Sequence, residues 1–437
     1  MLRTEPARGM RDFLPEDVRR REYVVGIIRR VYERYGFEPL ETPAVENLET
    51  LLGKYGEEGN RLIYKILKRG EHEATGQADL ALRYDLTVPL ARVVAEHQAK
   101  LPRLFKRYQI QPVWRADRPA RGRFREFYQC DVDSMGSTSP TVEAELCAAV
   151  ADALTALGFH DFVIRLNHRQ LLTSLLNYLA VSPDLHSSAL VAVDKLDKVA
   201  PDAVKKELCD RGVREDSAAS LIQVMQAPMD LSSLRGFDDA GQRAFENLQR
   251  IQELTAGTSA GDTIRVDLSL ARGLSYYTGA IMEINVANLA GSLGGGGRYD
   301  NLIGMFLGQE VPACGFSLGL ERILVVMGER GMFPPTLAMT PADVMVAVFD
   351  AAGLPHAMRV ADTLRRAGLR VLVYPDPDKI GKQIKYADSR GIPFVALLGG
   401  NEIAAGTVTV KNLRVQTQQT HEQAAAGAAI KEALQRD

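Results

Sequence analysis

The chain has 437 residues, room for about three domains at roughly 150 residues each. Hydrophobic residues make up 46% and charged residues 25%, a soluble globular balance that excludes a disordered, collagenous or disulfide-scaffold protein. Lys and Arg number 53 against 55 Asp and Glu, a net charge of −2, so any nucleic-acid binding must rest on local patches.

Cys130, Cys147, Cys209 and Cys314 lie far apart with no C-x-x-C. Neither a zinc site nor a disulfide framework is expected, and a reducing compartment fits. MLRTEPARGMRDFLPED has no apolar stretch of the secretory kind. No run approaches ~18 uncharged apolar residues, so no membrane span is expected. Together these features predict a cytoplasmic protein.

In chain order, Val18, Val24, Ile27, Ile28, Val31 and Tyr35 recur at helical spacing, predicting a helix from Glu16 to Tyr35 that stops at Gly36. GFEPLETPAVE is then extended, because Pro39 and Pro43 exclude a helix interior. RLIYKILKRG and DLALRYDL read as strands separated by a loop. RLFKRYQIQPVWRAD and FREFYQCDVDSM read as long strands of an antiparallel hairpin, broken by Pro119 and Gly122. Residues 140–157 form an amphipathic helix. Residues from about 169 to 255 read as a helical insertion. Strand signals resume at DTIRVDLSL, YTGAIMEINVA and CGFSLG, and ERILVVMGER is a helix. Residues 331–341, GMFPPTLAMTP, have linker composition. After them strands DVMVAVF, RVLVYP and FVALLG alternate with helices, predicting a small α/β domain with a largely parallel sheet.

The hairpin carries the densest chemistry. Between Arg103 and Arg125 stand eight basic residues and one acid, Asp117. That charge suits either a solvated edge that discourages aggregation or a phosphate-handling hairpin, since guanidinium groups hold phosphate and carboxylate in bidentate fashion. Alternation puts Phe127, Gln129, Asp131 and Asp133 on one face of the return strand and Tyr128, Cys130 and Val132 on the other. A core face would not bury Gln-x-Asp-x-Asp without partners, so a small ligand with donor or cationic groups fits there. In LARGLSYYTG, Arg272 beside Gly273 either lets a backbone approach closely or marks a strand turn with packed tyrosines. GGGGRYD lacks the spacing of a nucleotide loop, and its glycines could admit substrate close to backbone. Arg322 opens a helix after a Gly-rich strand and by itself reads as a surface arginine.

Taken together, these segments resemble the class II aminoacyl-tRNA synthetases, and the histidyl-tRNA synthetase family among them. GFEPLETPAVE is similar to motif 1, RYQIQPVWRADRPARGRFREFYQCDVD to motif 2, and PACGFSLGLERIL to motif 3. LARGLSYYTG and GGGGRYDNLI resemble the two signatures peculiar to the histidine enzymes, and the tail resembles their anticodon-binding domain. The resemblance implies an α+β catalytic domain on a mainly antiparallel sheet over 1–330, with the helical insertion at about 169–255. A linker at 331–341 and an anticodon-binding α/β domain at 342–437 follow.

It also implies ATP, L-histidine and tRNA-His as substrates, Mg²⁺ with the ATP, no protein-only metal site, and a homodimer through the motif 1 region. Arg115 and Arg272 would be the catalytic arginines at the α-phosphate, both also touching histidine. Arg123 and Arg322 would hold the outer phosphates, and Phe127 would stack on adenine. Asp85 and Thr87 would take the α-amino group, with Gln129 in the same site. Asp133, Tyr276, Tyr277 and Tyr299 would line the imidazole pocket. Ser275 stands where the family usually has Asp, so that charge is missing. A non-catalytic paralogue, regulating an ATP phosphoribosyltransferase in histidine biosynthesis, shares much of this pattern. It typically lacks the tail and some of the arginines. A general ATP-dependent ligase would not need the imidazole-pocket residues.

Overall fold

The computed structural model describes residues 4–196, 199–226, 237–271, 276–287, 289, 291–337 and 340–436. The chain separates into two units, Met1–Phe333 and Pro334–Asp437. In the first, the strands are β1 (Glu38–Pro39), β2 (Val45–Asn47), β3 (Lys65–Leu67), β4 (Ala78–Leu82), β5 (Phe105–Trp114), β6 (Glu126–Met135), β7 (Phe162–His168), β8 (Ile264–Val266), β9 (Ala280–Val286), β10 (Gly294–Arg298) and β11 (Ala313–Gly319). Eight of them make one sheet in the order β1-β5-β6-β11-β10-β9-β7-β8. Only its outermost pairs, β1 with β5 and β7 with β8, are parallel. The expected mainly antiparallel body is therefore present. A small sheet, β2-β4-β3, holds the remaining strands of this unit.

The apolar face of the large sheet is covered by helices. The helix Pro15–Arg34 starts with Pro at its first position and has Glu16 and Asp17 in its first turn, where carboxylates complement the helix dipole. It buries Val24, Ile27, Ile28, Val31 and Tyr32 against Cys130 and Val132 of β6 and against the helix Thr141–Ala156. Cys130 and Val132 are fully buried in this core, the side of β6 that alternation assigned to packing.

The proline-containing stretch after Gly36 is fixed from beneath. Arg83, 1% exposed, donates to the carbonyls of Thr42 (2.6 Å), Pro43 (3.2 Å) and Pro112 (2.8 Å) and to Gln111 Oε1 (2.9 Å). Arg92 holds Glu46 in a bidentate pair at 2.8 and 2.7 Å. Prolines there cannot donate backbone hydrogen bonds, and Arg83 supplies donors to the carbonyls around them.

Between β7 and β8 lie the helices Arg169–Tyr178, His186–Val193, Pro201–Asp210, Glu215–Gln226 and Asp239–Thr255. Asp238 caps the last of these, accepting from Gly241 N (2.8 Å) and also from Ser174 Oγ (2.6 Å) of the first.

The second unit has β12 (Val344–Val348), β13 (Val371–Val373), β14 (Phe394–Leu398), β15 (Thr407–Asn412) and β16 (Thr417–Glu422), ordered β13-β12-β14-β15-β16. The first three are parallel, as the α/β alternation predicts. β15 and β16 add an antiparallel edge that the sequence reading does not contain. QAAAGAA lies in the helix Gln423–Arg436.

Candidate active site

The polar face of the large sheet forms the floor of a cavity of about 390 Å³. Register sets its rows. Arg107 pairs with Asp133, Gln109 with Asp131, Gln111 with Gln129 and Val113 with Phe127 across the β5–β6 hairpin. On the other side of β6, Asp133 faces Gly315 and Asp131 faces Ser317. A Cβ at Gly315 would stand 1.9 Å from Asp133 Oδ1, so glycine is required for that carboxylate to lie along the floor. Gly294–Arg298 is a strand of the sheet, not a loop, and a Cβ at Gly294 or Gly296 would meet the Ser317 or Gly315 carbonyl oxygen at 2.4 or 2.1 Å.

Asp133, 2% exposed, is held from two sides. Tyr299 Oη donates to Oδ1 at 2.5 Å. Arg107 Nη2 stands 2.9 Å from Oδ2 without hydrogen-bond alignment, and Oδ2 accepts no hydrogen bond among the described residues. Burial pushes this carboxyl above its usual range, and Arg107 opposes the shift. The Tyr299 position is itself locked. Neighbouring Arg298 forms a buried bidentate pair with Glu143 at 2.6 and 2.8 Å.

Asp85 sits beside the start of the helix Thr87–Glu96. Its Oδ1 accepts from Val88 N (3.0 Å) and Tyr55 Oη (2.9 Å), and its Oδ2 accepts from Tyr276 Oη (3.1 Å). Burial raises its pKa, and these donors pull it back. Thr87, the first residue of that helix, also lines the cavity. The hydroxyl of Tyr276 therefore serves Asp85, while its ring stands edge-on to Tyr277 and Tyr299, at 5.1 and 5.9 Å between centroids.

Cations and an aromatic plate gather on the same cavity. Arg115 donates to Tyr84 O (2.9 Å) and Gln129 Oε1 (3.5 Å), with its guanidinium 5.1 Å from the Phe127 ring centre. Arg123 and Arg322 also line the cavity. Arg322 is no loose surface arginine. It donates to the Ser292 carbonyl, and a Cβ at Gly122, where φ is +68°, would meet its Cγ at 3.1 Å.

Six of the eight basic residues between Arg103 and Arg125 thus have separate tasks. Arg107 is buried under the floor, and Arg115 and Arg123 line the cavity. Lys106 pairs with Glu145 (2.8 Å), Arg121 with Glu329, and Arg125 holds the Asp117 carbonyl (3.1 Å).

The structure brings Asp85, Thr87, Arg115, Arg123, Phe127, Gln129, Asp133, Tyr276, Tyr277, Tyr299 and Arg322 to one cavity. Arg272 and Ser275 lie outside the described residues. Sequence reasoning passed over Glu321, which is buried, accepts from Tyr128 N at 2.9 Å, and is pushed up to about 7 by burial. It also passed over Arg11, 3.9 Å from Glu321 and stacked 3.4 Å over the Phe124 ring. The signal for Glu321 was a carboxylate in the first turn of the helix Leu320–Glu329, directly before Arg322.

An antiparallel sheet whose polar face joins arginines, an aromatic plate and buried carboxylates has the form of a class II aminoacyl-tRNA synthetase core. The family model for histidyl-tRNA synthetase matches residues 9–323, and that for an anticodon binding domain matches residues 343–433. A histidine--tRNA ligase from Gloeobacter violaceus is 42% identical, over 97% of this chain and 97% of that one. One from Cytophaga hutchinsonii is 41% identical, over 93% and 94%. The crystal structure of histidyl-tRNA synthetase from Nostoc sp. PCC 7120 superposes with a TM-score of 0.81 at 32% identity, over 99% of this chain and 100% of that one. The chain belongs to the histidyl-tRNA synthetase family. A Bacillus halodurans protein described as an ATP phosphoribosyltransferase regulatory subunit/histidyl-tRNA synthetase shares the fold, with a TM-score of 0.71 at 20% identity.

Proposed function

We propose that this chain joins L-histidine to tRNA-His in two steps, through histidyl-adenylate. In the first, a histidine carboxylate oxygen bonds to the α-phosphorus of ATP in line with the breaking bond to pyrophosphate. The protein's work is positioning and charge stabilisation. Arg115 lies between the floor and Phe127, where it can hold both the substrate carboxylate and the α-phosphate, with adenine on the Phe127 ring. Arg123 and Arg322 take the outer phosphates, and Arg272 is the second arginine for charge developing at phosphorus. Asp85, Thr87 and Gln129 receive the α-ammonium group. Asp133 accepts from an imidazole N–H, in a pocket walled by Tyr276, Tyr277 and Tyr299. In the second step a ribose hydroxyl at the tRNA 3′ end attacks the acyl carbon and AMP leaves.

Mg²⁺ brought in with ATP would supply positive charge against its phosphates. Glu283 and Glu321 are carboxylates lining the cavity, and Glu321 Oε1 accepts no hydrogen bond among the described residues. Such hard oxygen donors suit Mg²⁺.

The observation that carries the reading is Asp133 Oδ2, a buried acceptor without a hydrogen bond in the same cavity as Arg115. Oδ2 has the Arg107 cation at 2.9 Å but no aligned hydrogen bond among the described residues, so it can accept from a ligand that brings an N–H. Relatives named as ligases match to 97% of the chain, tail included, so the regulatory reading is not favoured. The chain works in the cytosol as a homodimer through the segment around Pro39 and Pro43, with the 342–437 tail reading the anticodon. Among the described residues no helix is long and apolar enough to cross a membrane. Charging of tRNA-His with labelled histidine tests the reading, and a chain that charges no tRNA with histidine contradicts it.

A further inference from the structure

Asp131 has no part in the roles above, yet it lies on the cavity floor at 2% exposure, between Gln129 and Asp133. Its two oxygens face different partners. Oδ1 accepts from Gln129 Nε2 at 3.3 Å, and Oδ2 stands 3.8 Å from Arg107 Nη2. Gln129 Nε2 also donates to Ser317 Oγ at 2.9 Å. With both amide hydrogens directed to the floor, Gln129 Oε1 is turned toward Arg115 Nη2, 3.5 Å away. An amide has one accepting end and one donating end, and it has two orientations in the same space. A neighbour that only accepts selects between them.

We propose that Asp131 is a positioning residue that fixes the Gln129 amide with its carbonyl oxygen toward the substrate, so that the oxygen accepts from the α-ammonium group of histidine. The inference rests on the histidine-activating reading above and deepens it. Only a carboxylate presents one oxygen to the Arg107 cation and another that accepts from Gln129. An asparagine at 131 turns its single oxygen toward the Arg107 cation and its NH₂ toward Gln129. Gln129 must then rotate to accept, which presents its own NH₂ to a substrate cation. The reversed amide repels the ammonium that the native one receives.

Protonation has the same sense. Burial pushes Asp131 up to about 7, opposed by Arg107 and by a side-chain hydrogen bond with Ser317, and assisted by the neighbouring Asp133 and Asp85 carboxylates. The groups facing it are Arg107 on β5, Asp133 and Gln129 on β6, Ser317 on β11 and, further off, Asp85. A protonated Asp131 donates where it previously accepted, and Gln129 turns.

The test is histidine-dependent ATP–pyrophosphate exchange on the full chain, with KM for histidine and for ATP measured separately. Asp131→Asn is expected to raise histidine KM on the order of ten-fold, the effect of a hydrogen bond to a charged group, with ATP KM changed less than about two-fold. Gln129→Glu in that background restores an acceptor toward the substrate and a partner for the asparagine NH₂. The double variant is therefore expected to recover to within about three-fold of wild type, while Gln129→Glu alone, which sets carboxylate against carboxylate, does not improve binding. Histidine KM in the wild type is expected to rise as pH falls below about 7 more steeply than in Asp131→Asn.

If Asp131→Asn does not fold, Ser317→Ala replaces it. Loss of the second acceptor for Gln129 Nε2 then raises histidine KM in the same selective way. An unchanged histidine KM in the single variants, or a double variant no better than Asp131→Asn, overturns the inference while leaving histidine activation standing. A wild-type chain with no histidine-dependent exchange overturns both.

Discussion

β6 and β12 are both central strands, and they bury opposite kinds of face. In β12, Val344, Val346 and Val348 pack into one apolar cluster, while Met345 and Ala347 pack into another. The strand is covered on both sides and has nothing to offer a ligand, as expected for a parallel sheet between helices. In β6, Cys130 and Val132 enter the core, whereas Gln129, Asp131 and Asp133 are buried on the other side among Arg107, Ser317 and Tyr299. The difference teaches where function resides. A strand that hides three polar side chains has forgone packing on that face, and Asp133 Oδ2 there accepts no hydrogen bond among the described residues.

The largest effect is expected where the polar face is braced. Arg298→Ala leaves Glu143 buried without its cation and is expected to lower unfolding free energy by about 3–5 kcal/mol. Denaturant melts check this, and a loss below ~1 kcal/mol would show the pair to be incidental. Asp133→Ala removes the acceptor for imidazole N–H. A loss of about 2–3 kcal/mol in kcat/KM for histidine is expected, with ATP KM little changed. Unchanged histidine kinetics would detach Asp133 from the substrate.

Val346→Thr puts one hydroxyl where β12 has no partner for it. The expected cost is about 1–2 kcal/mol of stability with exchange activity intact. A neutral result would mean that the second unit tolerates polar burial as the first does.

The smallest effect concerns Glu321. Its folded pKa of about 7 lies above the usual carboxylate range, so the folded state holds a proton that the unfolded state has lost. Stability from this group therefore falls as pH rises through that window, by about 1 kcal/mol between pH 6 and 7. Glu321→Gln is expected to flatten that limb of a stability–pH curve, and an unaltered slope would place the proton elsewhere.

Much of this contrast was legible in the sequence, and the reasons are physical. Period-two alternation over Phe127–Asp133 separates the faces of β6 before any partner is known, because side-chain direction in a strand depends on position alone. The helix Pro15–Arg34 was equally plain from its apolar spacing and from Gly36. The glycine strand 294–298 was not, because glycine carries no strand propensity and only its partners β9 and β11 define it. That the Tyr276 hydroxyl reaches Asp85 rather than the Asp133 side depends on contacts 191 residues apart, which no local pattern encodes. Asp131 and Asp133 look alike in sequence. In the fold their partners differ: Tyr299 donates to Asp133 and Gln129 to Asp131.

The central claim is that the polar face of β6 exists to activate histidine. Pyrophosphate exchange into ATP, measured with each of the twenty amino acids in turn, tests it most directly. The account predicts exchange with histidine and background with the other nineteen, without tRNA present. Exchange driven equally well by another amino acid, or by none, would contradict it.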